Sequence, residues 1–278
     1  MRHDLSENEY LAFKDFLESA CGILLGDNKQ YLVKSRLRKI MEENNIEGLS
    51  ALIEKLRRAG RGGGLQESVI DAMTTNETLW FRDTHPFRIL EEKIIPELAP
   101  KLGAQSLRIW SAACSTGQEP YSITMVADEY RRNKPGVLKS NVSLVATDIS
   151  KRVLEAAKSG TYEMLAIGRG LSRERQERYF QKTADGSWKI NADLQRQIDF
   201  KELNLLDRYT QLGRFDVIFC RNVLIYFSAE LKRDIISRMH QVLKPGGYLV
   251  LGASESLNNL PDKYDMVHCN PGIIYQAK

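Results

Sequence analysis

Residues 107–120 read LRIWSAACSTGQEP, and this stretch predicts the fold of most of the chain. The largely apolar run Leu107–Ala113 is typical of a short buried strand, and a helix is predicted to begin near Glu119. The loop between them, Cys114–Gly117, consists of small residues. Because small side chains let a ligand come close to the backbone, this loop is a candidate binding element.

Alternating strands and helices continue toward the C terminus. Further buried strands are predicted at Val142–Thr147, Phe215–Cys220 and Tyr248–Gly252. Since strands that alternate with helices form parallel sheets, the pattern predicts an α/β domain. The last two strands, Tyr264–Cys269 and Ile273–Gln276, are predicted to pair as an antiparallel hairpin.

A small antiparallel insert interrupts this alternation. Phe180–Thr183 and Ser187–Ile190 flank the tripeptide Ala184-Asp185-Gly186, and an Asp-Gly turn between two short strands is typical of a hairpin. A third strand, Ile198–Leu203, is expected to complete the insert, which then spans about residues 178–203.

Residues 1–75 are predicted to be all-helical. Ser6 and Glu9 form a capping box at the start of the first helix, and Gly22 is predicted to end that helix. The glycine-rich stretch at residues 60–64 interrupts the helical pattern, and composition alone places a domain boundary there.

A second helix, predicted over Asn28–Glu43, concentrates positive charge. Its apolar stripe of Val33, Leu37 and Ile40 is expected to pack inward, which turns the charged residues outward. Residues 29–39 contain no acid, and their basic residues are Lys29, Lys34, Arg36, Arg38 and Lys39. This concentration favours an acidic partner, and the alternative is an ordinary solvated face.

Composition excludes several classes of protein. The 278 residues are 42% hydrophobic and 27% charged, which excludes a disordered or collagen-like chain. The net charge of +4 is too small to indicate a nucleic-acid binder by itself. The apolar runs are too short for a transmembrane helix, and the N terminus lacks the apolar core of a signal peptide. The four cysteines form no C-x-x-C pair and are interpreted as reduced thiols of a cytoplasmic protein: Cys21, Cys114, Cys220 and Cys269.

The ends of the first two strands indicate the ligand class. Sheets of this kind bind ligands at the carboxyl ends of their strands, where Asp148 can accept hydrogen bonds from both hydroxyls of a ribose. The loop Cys114–Gly117 lacks the three glycines of a dinucleotide fingerprint. Glu119 stands where a pyrophosphate would need positive potential. A cationic ligand such as S-adenosylmethionine, with its sulfonium and ammonium groups, fits this acid better.

Three motifs resemble the chemotaxis receptor methyltransferases of the CheR type. They are TTNETLWFR at Thr74–Arg82, SAACSTGQEPYS at Ser111–Ser122 and CRNVLIYF at Cys220–Phe227. The LKPGG segment at Leu243–Gly247, read as a tight turn before a strand, resembles a motif that Rossmann-like methyltransferases share more widely. The resemblance extends over essentially the whole chain.

The resemblance implies a fold and a domain organisation. It implies an all-α N-terminal domain at residues 1–75 that docks the substrate, and a linker at residues 76–87 that contributes to the cofactor site. Residues 88–278 then form a Rossmann-like class I methyltransferase domain that carries the β insert. The domain boundary accordingly moves from the glycine-rich residues 60–64 to the linker.

The resemblance also implies S-adenosylmethionine as cofactor, S-adenosylhomocysteine as product, and no metal. The residues implied to bind the cofactor are Asn76, Thr78, Arg82, Glu119, Asp148, Asn204, Leu205, Arg221 and Asn222. Arg82 and Tyr226 are the catalytic candidates, expected to hold the incoming carboxylate or that of the cofactor. The alternatives are core packing for Tyr226 and the cap of a turn or helix for Asn222.

The implied reaction is methyl transfer to glutamate side chains of chemoreceptors, which forms methyl esters for chemotactic adaptation. A glutamate is ionised at neutral pH, so its attack needs alignment and partial desolvation rather than a general base. The implied partner is the glutamate-rich cytoplasmic helical bundle of the receptors. It is expected to contact the basic helix at Lys34, Arg36, Arg38 and Lys39. A receptor tail is a second candidate partner, on the β insert; neither nucleic acid nor membrane insertion is expected.

Two other functions stay open on the same fold. The first is a nucleic-acid or small-molecule methyltransferase. Nucleic-acid enzymes that modify amino groups typically carry D/N-P-P-Y/F after the fourth strand, where Arg221–Tyr226 reads RNVLIY instead. A non-catalytic sensor of S-adenosylmethionine would have no need of Arg82 or of Arg221-Asn222.

Overall fold

The computed structural model describes residues 5–60, 62–103, 105–139, 141–257 and 262–278. Arg61, within the predicted glycine-rich boundary, and the four N-terminal residues lie outside these ranges. Within them, no helix is both long and apolar enough to span a bilayer.

Four helices form the N-terminal domain, as predicted. They are α1 (Glu7–Cys21), α2 (Gln30–Glu43), α3 (Leu49–Ala59) and α4 (Gly64–Met73). The capping box of α1 is confirmed, because the Ser6 hydroxyl accepts from the Glu9 N–H and the Glu9 carboxylate accepts from the Ser6 N–H. Gly22 ends α1 in the left-handed conformation at φ 79°. Val33 and Leu37 of α2 are fully buried, and Ile40 packs against the same core.

The rest of the chain alternates strands and helices. The helices are α5 (His85–Ile89), α6 (Ile95–Leu102), α7 (Gln118–Asn133), α8 (Lys151–Ser159), α9 (Met164–Ile167), α10 (Arg173–Tyr179), α11 (Ala192–Gln195) and α12 (Ala229–Val242). One π-helical turn, Leu90–Ile94, joins α5 to α6. The strands are β1 (Leu107–Ala112), β2 (Val142–Asp148), β3 (Thr161–Tyr162), β4 (Phe180–Lys182), β5 (Trp188–Ile190), β6 (Ile198–Glu202), β7 (Phe215–Cys220), β8 (Leu243–Leu251), β9 (Tyr264–His268) and β10 (Ile273–Ala277).

Seven strands form one sheet in the order β6-β2-β1-β7-β8-β10-β9. The pairs from β6 to β8 are parallel, and β10 pairs antiparallel with both β8 and β9. The mostly parallel sheet with a C-terminal antiparallel hairpin is therefore confirmed. The strand order reverses between β1 and β7, which is where ligands bind in sheets of this type.

The predicted third strand of the insert is wrong. Ile198–Glu202 pairs parallel with β2 at the edge of the main sheet, and the insert is completed by Thr161–Tyr162, which pairs antiparallel with β5. Phe200 of β6 packs its ring 5.8 Å from that of Tyr121, so the apolar face of this strand belongs to the main core. A two-residue strand such as β3 has no periodicity that a sequence could reveal.

The predicted turn at Leu243–Gly247 is part of β8. Leu243 already pairs with Phe215, and the next pair is Val217 with Tyr248, so β8 accommodates three extra residues between these pairs as a bulge. A Cβ atom on Gly247 would lie 2.8 Å from the Asp216 carbonyl oxygen, so only glycine lets the two strands approach here.

The helical domain contacts the carboxyl edge of the sheet through its helix α4, whose side chains bond to the start of α8. Asp71 accepts from the Ser150 hydroxyl, and its other oxygen lies 2.7 Å from the Arg152 Nε. Glu67 pairs with the Lys151 ammonium at 2.6 Å. Because β2 runs directly into α8, these bonds place the helical domain over the ligand-binding end of β2.

Candidate functional site

One cleft lies between the helical domain, the linker and the carboxyl ends of β1, β2 and β7. The space inside it, counted together with its open mouth, is about 1030 Å³. The structure brings every predicted site residue to its walls: Asn76, Thr78, Arg82, Glu119, Asp148, Asn204, Leu205, Arg221, Asn222 and Tyr226. Their individual roles stay predictions.

The loop after β1 has a strained backbone. Ala113 and Ser115 adopt positive φ angles of 56° and 51°, which residues with a side chain rarely do. The Ser115 N–H donates to Asp148 at 2.8 Å, and its hydroxyl donates to the Asn76 carbonyl oxygen at 2.8 Å. Gly117 follows at φ 93°, and a Cβ there would lie 3.0 Å from that of Ala157. Strain held in place by such bonds is typical of a preorganised binding loop.

Asp148 ends β2 with its carboxylate buried. One oxygen accepts from the Ser115 N–H at 2.8 Å and the other from the Ser150 N–H at 3.0 Å. Burial raises the pKa of Asp148, and these backbone donors act against that rise. Each carboxylate oxygen keeps a second lone pair, so the group can accept two further hydrogen bonds from a diol in the cleft.

A buried ionic network lies beneath the cleft. The Arg221 side chain is 1% exposed, and its Nη1 donates to Glu119 at 2.8 Å. Its Nη2 donates to Asp83 at 2.7 Å and to the Arg82 carbonyl oxygen at 2.8 Å. The Arg221 Nε is buried without a hydrogen-bond partner. Arg221 therefore connects the linker to the end of β7. Its position in the sequence did not predict this role.

Glu119 is the acid that faces the cleft from the start of α7. Besides Arg221, it accepts from the Ser111 hydroxyl at 2.8 Å, and 13% of its side chain stays exposed. Three carboxylates and two guanidinium groups line the cleft, those of Glu77, Glu119, Asp148, Arg82 and Arg221. This lining fits a nucleoside with cationic groups, because it offers a diol acceptor and a second acid but no cluster of bases for a pyrophosphate.

The linker is held in an unusual conformation. Phe81, Asp83 and Thr84 all have positive φ angles, of 49°, 66° and 46°. The Phe81 N–H donates to the Ser122 hydroxyl at 3.2 Å, and the buried Trp80 indole donates to the Ala166 carbonyl oxygen at 3.1 Å. These bonds fix the backbone before Arg82, and the bonds from Arg221 to the Arg82 carbonyl oxygen and to Asp83 fix it on the other side. The half-buried guanidinium of Arg82 donates to the Glu77 carbonyl oxygen at 3.1 Å.

The two domains meet at the far wall of the cleft. The Asn204 amide donates to the Ala20 carbonyl oxygen of α1 at 2.8 Å, and Leu205 beside it is buried. The Tyr226 carbonyl oxygen accepts from the Leu24 N–H at 2.8 Å. The side chain of Tyr226 both lines the cleft and packs against the core under the sheet. A role in catalysis and a role in core packing are therefore compatible for this residue.

The basic helix α2 differs from the expectation at Arg36. Its guanidinium does not point outward but donates to the Met73 and Thr74 carbonyl oxygens, at 2.8 and 3.2 Å. The reason is its place at the edge of the apolar stripe, beside the end of α4. Arg38 and Lys39 are exposed, within 4 Å of Glu42 and Glu43 on the same helix, respectively. Lys34 is half-buried.

Cys21, Ile23 and Met73 of the helical domain line the cleft and were not predicted from the sequence. Glu255, also not predicted, does not line the cleft, but its carboxylate accepts hydrogen bonds from the loop after β7. The one sequence signal for Glu255 is its place just after β8, three residues beyond Gly252.

The cysteines agree with the reading as reduced thiols, since none of the four forms a disulfide. Burial raises the pKa of Cys21 to about 11 and that of Cys114 well above its ordinary value, so both thiols that line the cleft stay protonated at neutral pH. Within the described residues, no group of three His, Cys, Asp or Glu side chains is arranged to hold a metal ion.

Comparison with known proteins agrees with this geometry. Residues 8–74 match the family model described as "CheR methyltransferase, all-alpha domain", and residues 76–273 match "CheR methyltransferase, SAM binding domain". The chain is 58% identical to chemotaxis protein methyltransferase 1 of Pseudomonas aeruginosa, over 97% of this chain and 98% of that protein. It is 57% identical to chemotaxis protein methyltransferase Cher2 of Pseudomonas putida, with the same coverage. A chemotaxis protein methyltransferase of Salmonella typhimurium is 33% identical over 94% of this chain and 88% of its own.

Proposed function

This chain belongs to the CheR methyltransferase family, and on that premise we propose that it methylates glutamate side chains of chemoreceptors to form methyl esters. The family makes it an S-adenosylmethionine-dependent methyltransferase of chemotaxis. One observation supports the proposal most strongly. A single cleft, closed by both family domains, holds a buried diol acceptor at Asp148 and a half-buried guanidinium at Arg82.

The chain's own residues suit the parts of the cofactor. When bound, S-adenosylmethionine supplies a methyl group on a positively charged sulfur. Asp148 accepts from the ribose hydroxyls, and Glu119 faces the ammonium end. Asn204 and Leu205 flank the adenine, while Asn76, Thr78 and Asn222 complete the walls.

The acceptor side needs no base. Because a glutamate carboxylate is already ionised at neutral pH, the protein has to align it and remove part of its water. Arg82 reaches the cleft from a linker whose backbone is fixed on both sides, so it can orient a carboxylate without itself being reorganised. Tyr226 also lines the cleft and is the second candidate for this task.

The domains divide the work. Residues 1–75 dock the helical bundle of the receptor, residues 76–87 link the domains and complete the cofactor site, and residues 88–278 hold the cofactor. The insert, whose sheet is β3, β4 and β5, is a candidate dock for a receptor tail. A cytoplasmic location follows from the receptor surface that the enzyme would modify.

The decisive test is methyl transfer from tritiated S-adenosylmethionine to receptor membranes, with DNA and RNA as competing acceptors. We expect label on the receptor that mild alkali releases as methanol, because methyl esters hydrolyse there and N-methyl groups do not. Label on nucleic acid would favour the other enzyme class, and binding without any transfer would favour a sensor. Full-length and tail-truncated receptors decide whether the tail contributes.

Reversing the charges of Arg38 and Lys39 to glutamate is expected to raise the receptor KM about tenfold at low salt. These exposed charges act on the encounter with an acidic helix, and salt screens them over about 8 Å at physiological strength. Affinity for S-adenosylhomocysteine should not change. The control reverses Lys139 and Arg214, two exposed residues near the amino ends of the parallel strands. Normal receptor methylation by the Arg38 and Lys39 variant would make this face of α2 an ordinary solvated surface.

Arg36→Met is expected to act on the cofactor instead, because Arg36 holds the carbonyl oxygens of Met73 and Thr74 ahead of the linker. Loss of these charge-assisted bonds should weaken S-adenosylhomocysteine binding about five- to tenfold. Arg36→Lys keeps the charge but loses the Nη2 contact with the Thr75 hydroxyl, so its product affinity should lie between those of wild type and the Met variant. If only the receptor KM rises in both variants, Arg36 is a docking residue after all. Calorimetry with product and a receptor assay separate the two results.

A further inference from the structure

The carboxylate of Glu255 is surrounded by backbone donors. One of its oxygens accepts from the N–H groups of Asn222 and Gly252, both at 2.8 Å. The other accepts from the N–H groups of Val223 and Leu224, at 3.0 and 2.8 Å. All four bonds join a charged acceptor to main-chain donors, which is the strong class of hydrogen bond.

Three of these donors are consecutive, and they form an anion-binding concavity. Asn222 stands at φ 58°, and this left-handed residue turns the N–H groups of residues 222, 223 and 224 toward one point. Concavities of this kind commonly bind phosphate or another ligand anion. Here the chain fills the concavity with its own side chain, so the loop after β7 keeps one fixed shape.

Glycine is required where the chain leaves β8 beside this carboxylate. A Cβ atom on Gly252 would lie 2.6 Å from the Glu255 oxygen and 2.9 Å from the Asn222 nitrogen. Any larger residue at position 252 would therefore push the carboxylate and the loop apart.

The loop that Glu255 holds is a wall of the cleft. Asn222, Val223 and Tyr226 line the cleft, and the Tyr226 carbonyl oxygen accepts from Leu24 of the helical domain. A displacement of this loop would move the Tyr226 hydroxyl and the Asn222 amide together. It would also alter the seam between the two domains.

We propose that Glu255 is a positioning residue for methyl transfer, which fixes the Asn222–Tyr226 wall of the cleft through four backbone hydrogen bonds. The inference rests on the proposed function, because its main readout is turnover. Glu255 itself does not touch the reacting groups. Its removal should therefore change alignment more than binding.

Glu255→Gln tests this with little change in shape. The amide presents a donor to two of the four N–H groups, so the loop must shift. We expect kcat to fall about 10²-fold, as for other misalignments of about 1 Å, while the S-adenosylhomocysteine Kd rises less than about tenfold. Glu255→Asp keeps the negative charge, so its kcat should lie between those of wild type and Glu255→Gln. Glu230→Gln, an exposed carboxylate at the start of α12, is the matched control and should behave as wild type.

A separate arm tests the concavity itself. Glu255→Gly leaves the three N–H groups of the loop without their acceptor, and added formate or acetate should restore part of its turnover. Chloride at the same ionic strength should not. Neither anion should help Glu255→Gln, because the amide still occupies the place.

Two results would overturn the inference. One is a Glu255→Gln kcat within about twofold of wild type. The other is a fall in kcat that is fully explained by the fraction of the variant that is unfolded at the assay temperature. If the Gln variant does not fold, the Asp variant is judged by the same two criteria. If the wild type does not methylate receptors, the proposed function fails. The inference is then tested by amide hydrogen exchange, and unchanged exchange of the Asn222, Val223 and Leu224 N–H groups in the Gln variant would overturn it separately.

Discussion

Asp148→Ala is expected to weaken S-adenosylhomocysteine binding by about 10²–10⁴-fold. The carboxylate can accept hydrogen bonds from both ribose hydroxyls, and each such charge-assisted bond is worth about 1.5–3 kcal/mol. The variant also leaves the N–H groups of Ser115 and Ser150 without their acceptor, which loosens the strained loop after β1. Calorimetry with the product measures the loss.

The control for this experiment separates binding from folding. Asp15→Ala removes an exposed carboxylate of α1 and should leave affinity unchanged. Asp148→Asn keeps one oxygen acceptor and should fall between wild type and the Ala variant. Unchanged product affinity in Asp148→Ala, with the thermal unfolding midpoint preserved, would exclude Asp148 from the cofactor site.

The same residue predicts how binding depends on pH. Burial raises the pKa of Asp148 in the free protein. Hydroxyl donors favour the ionised carboxylate, so the bound protein should have a lower pKa than the free one. Affinity should therefore decline as the pH falls through the raised pKa, at a higher pH than for an ordinary aspartate. Between the two pKa values, binding should release a proton, which calorimetry in buffers of different ionisation enthalpy detects.

Arg82→Ala is expected to lower kcat about 10²–10³-fold, the usual cost of removing one preorganised donor. Among the residues that the structure describes, the Arg82 side chain makes one hydrogen bond, to the Glu77 carbonyl oxygen, so its loss should affect folding little. The buried anchor of the linker is Arg221, which Arg82→Ala leaves in place with its bond to the residue 82 carbonyl oxygen. Initial rates with saturating cofactor and receptor measure the effect.

The arginine control lies at the opposite end of the sheet. Arg214→Ala removes an exposed guanidinium just before β7 and should turn over normally. Tyr226→Phe in the same assay decides whether the hydroxyl of this other lining residue contributes. Normal methyl transfer by Arg82→Ala would remove Arg82 from the catalytic residues and leave Tyr226 as the candidate.

Much of this protein could be predicted from the sequence because the signals are local. The capping box of Ser6 and Glu9, the buried run of β1 and the small-residue loop each lie within a few consecutive residues. Local pattern places a polar residue at the end of a strand, and parallel strands end at the same edge of the sheet. That geometry explains why Asp148, Glu119 and Asn222 converge in one cleft although they lie far apart in the chain.

Tertiary structure alone decided the pairing partners. An alternating pattern indicates that a strand such as Ile198–Glu202 is half-buried, but the same pattern suits the insert and the edge of the main sheet equally well. Only the space beside β2 and the packing of Phe200 on Tyr121 select the main sheet. The insert takes Thr161–Tyr162 instead, a strand too short to show any period.

Long-range side-chain partners are the other part that the sequence could not supply. Arg36 was predicted to contact a partner, Arg221 was predicted to bind the cofactor, and Glu255 was not singled out. Each nevertheless bonds to backbone or carboxylate groups more than 30 residues away. A charged side chain carries no sequence signal for its partner, because the partner is chosen by whichever unsatisfied group the fold leaves within reach. The sequence therefore determined the sheet, the helical domain and the residues of the cleft, whereas only the packed chain determined which charges face a ligand and which hold the walls.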